Sequence, residues 1–296
     1  MKKDSFRKGI LIAGGLGSRL YPLTSVISKQ LLPVYDKPMI YYPLTTLMLS
    51  GVKDILIITT KFSQSLFEKL LGDGSEWGMN FSYKVQEKCY GVSHAISLGE
   101  GFTCDKNIVI ALGDNIFHGT NFVSFLQSAD IRKEGATIFT YPVKDPQRYG
   151  VISYDKKGSI LSLQEKPTNP NSNNAITGLY FFDKSVYERI RKLEYSTRNE
   201  LEITGLISSY LKDNLLNVES FGRGMAWFDT GTFDSLQEGS EYIRSIQNRQ
   251  GLKVGCPEEI SWRQGWINDN QLTNLADKLM SGGYGEYLLK LIDINK

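Results

Sequence analysis

The sequence has few of the residues that build disulfide-rich proteins or histidine-based metal sites. Three cysteines (Cys89, Cys104 and Cys256) occur in 296 residues, an odd number without Cys-x-x-Cys spacing. Neither a disulfide framework nor a zinc site is therefore predicted. Two histidines, His94 and His118, are too few to indicate a histidine-based metal site. The sequence suggests no Ser/His or Cys/His pair, so covalent catalysis by the protein is not predicted.

Long apolar runs and one-sided charge are also absent. No apolar run approaches the ~20 residues that span a bilayer, and the apolar stretch after the basic N-terminus is too short for a signal peptide. The net charge is +2, and charged residues are spread along the chain. We therefore expect a cytoplasmic enzyme whose partners include neither nucleic acid nor a membrane. Hydrophobic residues make up 41% of the chain, enough for a sizeable core in one large domain or two smaller ones.

In the first half, short apolar runs alternate with amphipathic segments. Strands are predicted at 9–13, 55–59, 81–85 and 108–112, and helices at 38–50 and 63–71. Such alternation predicts an α/β fold with a Rossmann-like, mostly parallel sheet flanked by helices. Ligands of these sheets lie beyond the carboxyl ends of the strands. The loops at 14–17 and 113–115 are therefore expected to be neighbours.

The pattern changes after about residue 136. A hairpin is predicted at 151–160, followed by strands at 161–167 and 177–182, and helices predominate from Thr232 apart from a break at 251–257. We interpret this half as a smaller β-rich lobe that covers the pocket, followed by a helical C-terminal cap.

The loop after the first strand contains Gly14, Gly15 and Gly17. Glycines at this place let backbone N–H groups approach a phosphate closely, and Arg19 and Lys29 add positive charge nearby. A Walker A loop is excluded because no Gly-Lys-Ser/Thr follows, and the dinucleotide fingerprint lacks its third glycine. The loop therefore predicts a polyphosphate site, with a glycine turn without a ligand as the alternative.

Two acids follow predicted strands. Asp114 comes just after the strand ending at Leu112, and Asp229 follows the apolar run at 225–228. A few carboxylates facing a phosphate loop suit Mg²⁺, which shares its substrate's phosphate oxygens. The alternative for each aspartate is a turn or helix-capping role. Lys166, between Glu165 and Pro167, is a candidate phosphate ligand or else part of an exposed, salt-bridged turn.

The glycine signature at 14–24, joined to Ser28-Lys29-Gln30-Leu31-Leu32-Pro33-Val34, resembles the sugar-1-phosphate nucleotidyltransferases. The segment LLPVYDKPMIYY at 31–42 is most similar to the bacterial branch that acts on glucose 1-phosphate and dTTP. Further matching motifs follow in order at 71–75, 112–115, 148–151, 165–167, 177–180, 200–204, 229–232 and 248–253.

The resemblance implies Mg²⁺-dependent, in-line transfer of a nucleotidyl group from dTTP to glucose 1-phosphate, giving dTDP-glucose and pyrophosphate. Arg19 and Lys29 would be catalytic, and Asp114 and Asp229 would hold the metal. The implied nucleotide-binding residues are Ile12, Gly14, Gly15, Gly17, Ser18, Gln30, Gln86 and Gly91. The implied sugar-phosphate residues are Asn115, Tyr149, Gly150, Glu165, Lys166, Gly178, Arg198 and Trp227.

The resemblance also implies a domain organisation. Residues 1–245 would form the nucleotidyltransferase domain, with a nucleotide-binding part at about 1–135 and a sugar-binding part at about 136–231. Residues 246–296 would form a helical region for oligomer contacts and a regulatory site that binds the end-product nucleotide sugar. The implied assembly is a homotetramer.

The chain departs from the family pattern beside the nucleoside site. Where the family has Ser-Pro-Asp-Gly-Leu-Ala-Gln-Ala, residues 88–95 read Lys-Cys-Tyr-Gly-Val-Ser-His-Ala. Tyr90 replaces an acid and could stack on a base or crowd it, so UTP is an alternative to dTTP. Gly205 likewise replaces the acid of Glu-Ile-Thr-Asp. Another hexose 1-phosphate and a non-catalytic nucleotide-sugar-binding module are the remaining alternatives.

Overall fold

The structure, a computed structural model, describes residues 5–294. The strands are β1 (Lys8–Ala13), β2 (Pro33–Val34), β3 (Lys37–Pro38), β4 (Asp54–Thr59), β5 (Asn80–Val85), β6 (Ile108–Leu112), β7 (Asn115–Gly119), β8 (Ala136–Pro142), β9 (Gly150–Tyr154), β10 (Ile160–Glu165), β11 (Asn174–Phe182), β12 (Leu216–Ser220) and β13 (Met225–Asp229). The helices are α1 (Tyr41–Leu49), α2 (Gln64–Leu71), α3 (Val92–Ser97), α4 (Glu100–Thr103), α5 (Phe122–Asp130), α6 (Val186–Arg191), α7 (Ile203–Lys212), α8 (Phe233–Gln250), α9 (Pro257–Arg263), α10 (Asp269–Lys278) and α11 (Tyr284–Ile294).

Within residues 5–294 the main sheet has nine strands, with the parallel strands β6, β1, β4 and β5 side by side. The predicted α/β class is confirmed. Ile12 of β1 pairs with Leu112 of β6, and the N–H of Gly113 donates to the Ile12 carbonyl at 2.8 Å. The glycine loop and the loop carrying Asp114 therefore leave the sheet at the same edge, as predicted.

The β-rich second half continues this sheet. Strand β11 runs antiparallel to β6 and also pairs with β8 and β9, while β10 extends β9 and β12 extends β8. The predicted hairpin is formed by β9 and β10. The candidate sugar-binding residues Gly150, Glu165 and Gly178 thereby belong to the same hydrogen-bonded sheet as the strand that precedes the glycine loop.

A separate two-stranded ribbon joins β7 to β13. These strands are antiparallel, with Asn115 opposite Asp229 and Phe117 opposite Trp227. Just beyond the ribbon, Thr230 donates to the Asp114 carbonyl from its N–H at 3.0 Å and from its hydroxyl at 2.8 Å. The ribbon places the two candidate metal-binding acids at neighbouring positions, although they are far apart in sequence.

Successive side chains of β1 enter different cores, as the two-residue period of a strand requires. Leu11 belongs to the core on one face of the sheet, and Ile10 belongs to the core on the other. Leu272 of α10 and Leu288 of α11 share the core of Leu11. The C-terminal helices therefore bury their apolar faces against the first half of the chain.

One element boundary differs from the expectation. The predicted helix at 38–50 begins only at Tyr41, because the N–H groups of Met39 and Ile40 donate to the carbonyls of Leu32 and Gln30. Pro38 lies in the short strand β3 instead. Helix α8 begins after a Thr232 capping box and continues to Gln250, so the proposed boundary at 245/246 lies inside it. In the described range, none of the helices combines the length and apolarity needed to cross a bilayer.

Candidate active site

A cavity of about 310 Å³ opens at the carboxyl edge of the parallel strands. Most of the residues singled out in the sequence line it. They are Ile12, Gly15, Arg19, Lys29, Gln30, Asp114, Asn115, Tyr149, Gly150, Glu165, Lys166, Gly178, Trp227 and Asp229. The cavity lining does not include Gly14, Gly17, Ser18, Gln86, Gly91 or Arg198.

The glycine loop shapes one wall of the cavity. Gly17 has φ +66°, a left-handed conformation that glycine adopts without cost, and its carbonyl accepts a hydrogen bond from the Thr24 hydroxyl at 2.7 Å. Ser18 and Arg19 follow in a single 3-10 turn. The Arg19 guanidinium lies against Gly231, where a Cβ would come within 2.6 Å of it. The loop thus directs one cation toward the Asp229 segment.

Lys29 and Asp114 form a largely buried ion pair at the base of the cavity. Burial favours the neutral carboxylic acid, but the Lys29 ammonium and a hydrogen bond from Asn115 outweigh it, so the pKa of Asp114 lies below its usual range. The candidate catalytic lysine therefore neutralises a candidate metal ligand in this state of the protein.

Asn115 connects the two ends of the site. Its Nδ2 donates to Asp114 at 2.9 Å, while its Oδ1 accepts from the Gly178 N–H at 3.0 Å and from Trp227 Nε1 at 2.6 Å. A Cβ on Gly178 would lie 2.6 Å from the Asn115 side chain. Only glycine at 178 allows this approach, which couples the carboxylate end of the cavity to strand β11.

Asp229 carries negative charge that the protein only partly offsets. Burial and the neighbouring Asp114 carboxylate raise the pKa of Asp229 to about 6, against the opposing effects of Lys29, Arg19 and Arg148. The nearest Arg148 nitrogen is 3.7 Å from its Oδ2. Asp114 and Asp229 are adjacent, and nearby cations balance the charge of Asp229 only in part. Two such carboxylates match the charge of a divalent cation and its preference for oxygen ligands. Among residues 5–294 no group of three or more His, Cys, Asp or Glu side chains is arranged to hold a metal.

Glu165 and Arg198 meet at the opposite end of the cavity. Arg198 donates to Glu165 Oε1 at 3.2 Å and also pairs with Glu202 and Glu200. Arg198 is outside the cavity lining but is held at its rim by Glu165. Lys166 has φ +42°, an uncommon conformation for a residue with a Cβ, and its N–H donates to the Tyr149 carbonyl at 3.0 Å.

The candidate nucleoside residues lie behind the glycine loop. Gln86 packs on Gly14, where a Cβ would be 2.7 Å from Gln86 Oε1. Gly91 has φ +96°, and a Cβ there would come within 2.6 Å of the Leu201 carbonyl oxygen. These two glycines are therefore required by close packing, whatever they bind.

Six lining residues were missed by sequence reasoning. They are Val92, Leu112, Arg148, Ile176, Tyr180 and Ile203. Two of them could have been found from strand periodicity, because Ile176 and Tyr180 lie two residues either side of Gly178 on the same face of β11. Arg148 directly precedes Tyr149, and its position in a matched motif was the available signal.

Comparison with known proteins agrees with this architecture. Residues 8–246 match the model of the nucleotidyl transferase family. A glucose-1-phosphate thymidylyltransferase of Xanthomonas campestris pv. campestris is 53% identical over 285 residues, which cover 96% of this chain and 97% of that protein. One of Mycobacterium tuberculosis is 49% identical over 288 residues, covering 97% of this chain and 100% of that protein.

A solved structure gives the same result. A Bacillus anthracis protein described as a glucose-1-phosphate thymidylyltransferase, in complex with sucrose, superposes with a TM-score of 0.75 at 40% identity. The match covers 81% of this chain and 96% of that one. The resemblance seen in the sequence is confirmed. The chain belongs to the nucleotidyl transferase family, and its relatives at about half identity are glucose-1-phosphate thymidylyltransferases.

Proposed function

We propose that this protein transfers the thymidylyl group of dTTP to glucose 1-phosphate, releasing pyrophosphate and forming dTDP-glucose. One observation carries the proposal. A single cavity brings together Arg19, Lys29, Asp114 and Asp229 at one end and Glu165 at the other. This grouping supports adjacent binding sites for a polyphosphate and a sugar phosphate in one pocket.

The reaction requires little acid–base chemistry. An oxygen of the sugar phosphate, already anionic, forms a bond to the α-phosphorus, while the bond from that phosphorus to the β-phosphate oxygen breaks and pyrophosphate leaves. Catalysis then depends on alignment and on neutralising negative charge. Lys29 is placed to exchange its contact with Asp114 for the α-phosphate, and Arg19 to bind the departing phosphates.

Mg²⁺ is the proposed metal, and Asp114 and Asp229 are the residues that would hold it. When bound, it supplies charge neutralisation at the phosphate oxygens. The chain's own contribution is the pair of acids fixed by the β7–β13 ribbon. With that charge supplied, the Lys29 ammonium would no longer be needed to neutralise Asp114.

At the sugar end, we assign the hexose to Asn115, Tyr149, Gly150, Glu165 and Gly178, and its phosphate to Lys166 and Arg198. Trp227 forms a wall, since its indole donates to Asn115 and packs 5.0 Å from the Tyr149 ring, centroid to centroid. Arg198 would have to leave part of its carboxylate network to bind phosphate. That exchange gives the sugar phosphate a role in ordering the pocket rim.

The direct test is pyrophosphate release from dTTP and UTP, each with a panel of hexose 1-phosphates and Mg²⁺. We expect the highest kcat/KM for dTTP with glucose 1-phosphate. Equal or better activity with UTP or with another hexose would replace the proposed substrates but keep the reaction. No pyrophosphate from any pair, together with nucleotide-sugar binding, would support the non-catalytic alternative.

Three further assignments are proposals drawn from the family. They are a cytoplasmic location, a homotetramer, and a regulatory site in the C-terminal region. A second cavity, of about 410 Å³, lies between α1, β7 and the segment 250–263 and offers space for a regulatory ligand. Sedimentation and end-product inhibition measurements test the last two.

A further inference from the structure

The chain departs from its family beside the nucleoside site, in the loop from β5 to α3. Gln86 in this loop is only 5% exposed, and its backbone N–H donates to the Thr59 carbonyl at 2.8 Å. The side-chain nitrogen Nε2 lies 3.1 Å from Nδ1 of His94, the residue that stands where the family has glutamine. The carbonyl oxygen Oε1 lies beside Gly14.

Tyr90, the other conspicuous departure, is occupied elsewhere. Its ring packs edge-on against His94, with centroids 5.4 Å apart, and against Tyr195 at 6.0 Å. The Tyr90 carbonyl also accepts a hydrogen bond from the Leu201 N–H at 2.8 Å. Tyr90 therefore supports the His94 imidazole by packing against it. Of these two departures from the family pattern, we take His94 as the one that could influence which base binds.

A glutamine amide can present either of two edges, and its hydrogen-bond partner decides which. The tautomer of His94 decides which amide edge faces it: with the proton on Nε2, Nδ1 accepts and the NH₂ group of Gln86 faces the imidazole. Oε1 then points away from His94, toward the glycine loop. No hydrogen bond to Oε1 from another described residue is found, so this acceptor, which lies behind Gly14 and outside the cavity lining, has no protein partner.

We propose that His94 is a positioning residue for base selection, which orients the Gln86 amide so that its carbonyl oxygen reads the base. This inference rests on the proposed function and on the nucleoside-binding role of Gln86 that the family resemblance implies. A carbonyl acceptor pairs with the imide N3–H of thymine or uracil, whereas N3 of cytosine presents a lone pair. His94 therefore selects imide pyrimidines over cytosine, and dTTP and UTP share this contact equally.

The test compares four variants with the wild type, using dTTP, UTP and dCTP. His94→Leu removes the acceptor, while His94→Gln and His94→Asn keep one. Tyr90→Leu removes the aromatic contact but leaves the imidazole, and so separates packing from hydrogen bonding. Nucleotide KM and kcat are measured with glucose 1-phosphate, nucleotide Kd is measured without it, and Tm reports folding.

For His94→Leu we expect the KM and Kd for dTTP and UTP to rise together, by roughly five- to tenfold, the effect of one hydrogen bond. kcat should stay within about twofold, because base binding is the same in ground and transition states. The preference for dTTP over dCTP should shrink by a similar factor. His94→Gln, His94→Asn and Tyr90→Leu should keep that preference within about twofold of wild type.

An unchanged dTTP-to-dCTP affinity ratio in folded His94→Leu protein would overturn the proposal. The proposal would also be overturned if the dTTP-to-dCTP affinity ratio fell as much in His94→Gln and His94→Asn as in His94→Leu, since the first two variants retain an acceptor. Failure of the proposed function is a separate result. Wild-type protein that released no pyrophosphate would refute that function, and the Kd ratios would still decide whether His94 selects the base.

Discussion

Replacing Asp229 with asparagine should stabilise the metal-free protein while removing its activity. Asp229 is buried beside the Asp114 carboxylate, which raises the pKa of Asp229 from 3.8 to about 6. Asparagine has nearly the same shape and no charge. The variant therefore removes the cost of burying a charge and the repulsion between the two acids, and it keeps the volume of the side chain.

The size of the expected stabilisation follows from the raised pKa of Asp229. A rise of about two pH units at about 1.4 kcal/mol each means that ionised Asp229 weakens the folded state by about 3 kcal/mol. Because the folded-state pKa is the higher one, the stability associated with protonated Asp229 is fully present below pH 3.8 and is lost as the pH rises through about 6. At pH 8 the variant should therefore exceed the wild type in folding stability by this whole free energy. That difference corresponds to roughly 5 °C in Tm for a chain of this length.

The assay is thermal unfolding in a chelating buffer at pH 8 and again near pH 4.5, where the gain should be much smaller. Asp114→Asn is the matched control with the opposite sign, because it leaves the buried Lys29 ammonium without its partner. It should lower Tm. Both variants should lose most pyrophosphate release with Mg²⁺. An Asp229→Asn protein with unchanged or lower Tm at pH 8 would refute the electrostatic argument.

Three other perturbations test separate parts of the site. Lys29→Met should lower kcat by roughly 100-fold or more with a smaller change in nucleotide Kd, if it acts on charge in the transition state; an unchanged kcat would contradict this role. Gly178→Ala places a Cβ 2.6 Å from the Asn115 side chain, so the KM for glucose 1-phosphate should rise at least about tenfold. A KM equal to that of the wild type would show that β11 can shift to make room. Arg198→Ala should raise KM for glucose 1-phosphate by roughly tenfold and leave dTTP affinity unchanged in direct binding; equal losses for both substrates would instead indicate disruption of the pocket rim.

Much of the fold could be predicted because short sequence patterns specify many of its strands and helices. The apolar runs of β1, β4, β5 and β6 and the capping residue Thr232 each appear within a few neighbouring positions. The helix at α1 was predicted too long, since the hydrogen bonds that hold Met39 and Ile40 to the preceding loop have no local signal. Strands β7, β8 and β12 were not predicted for a related reason. Each depends on pairing with a distant partner strand.

The α/β class, the glycine loop with Arg19 and Lys29, and the family could all be recognised in the sequence alone. These depend on composition, periodicity and motifs, which are properties of short segments. Which residues meet became visible only in the folded chain. The β7–β13 ribbon sets Asp229 opposite Asn115, Arg198 reaches Glu165, and His94 holds Gln86. The physical reason is that strand pairing and side-chain packing join segments distant in sequence, and no local pattern records those contacts.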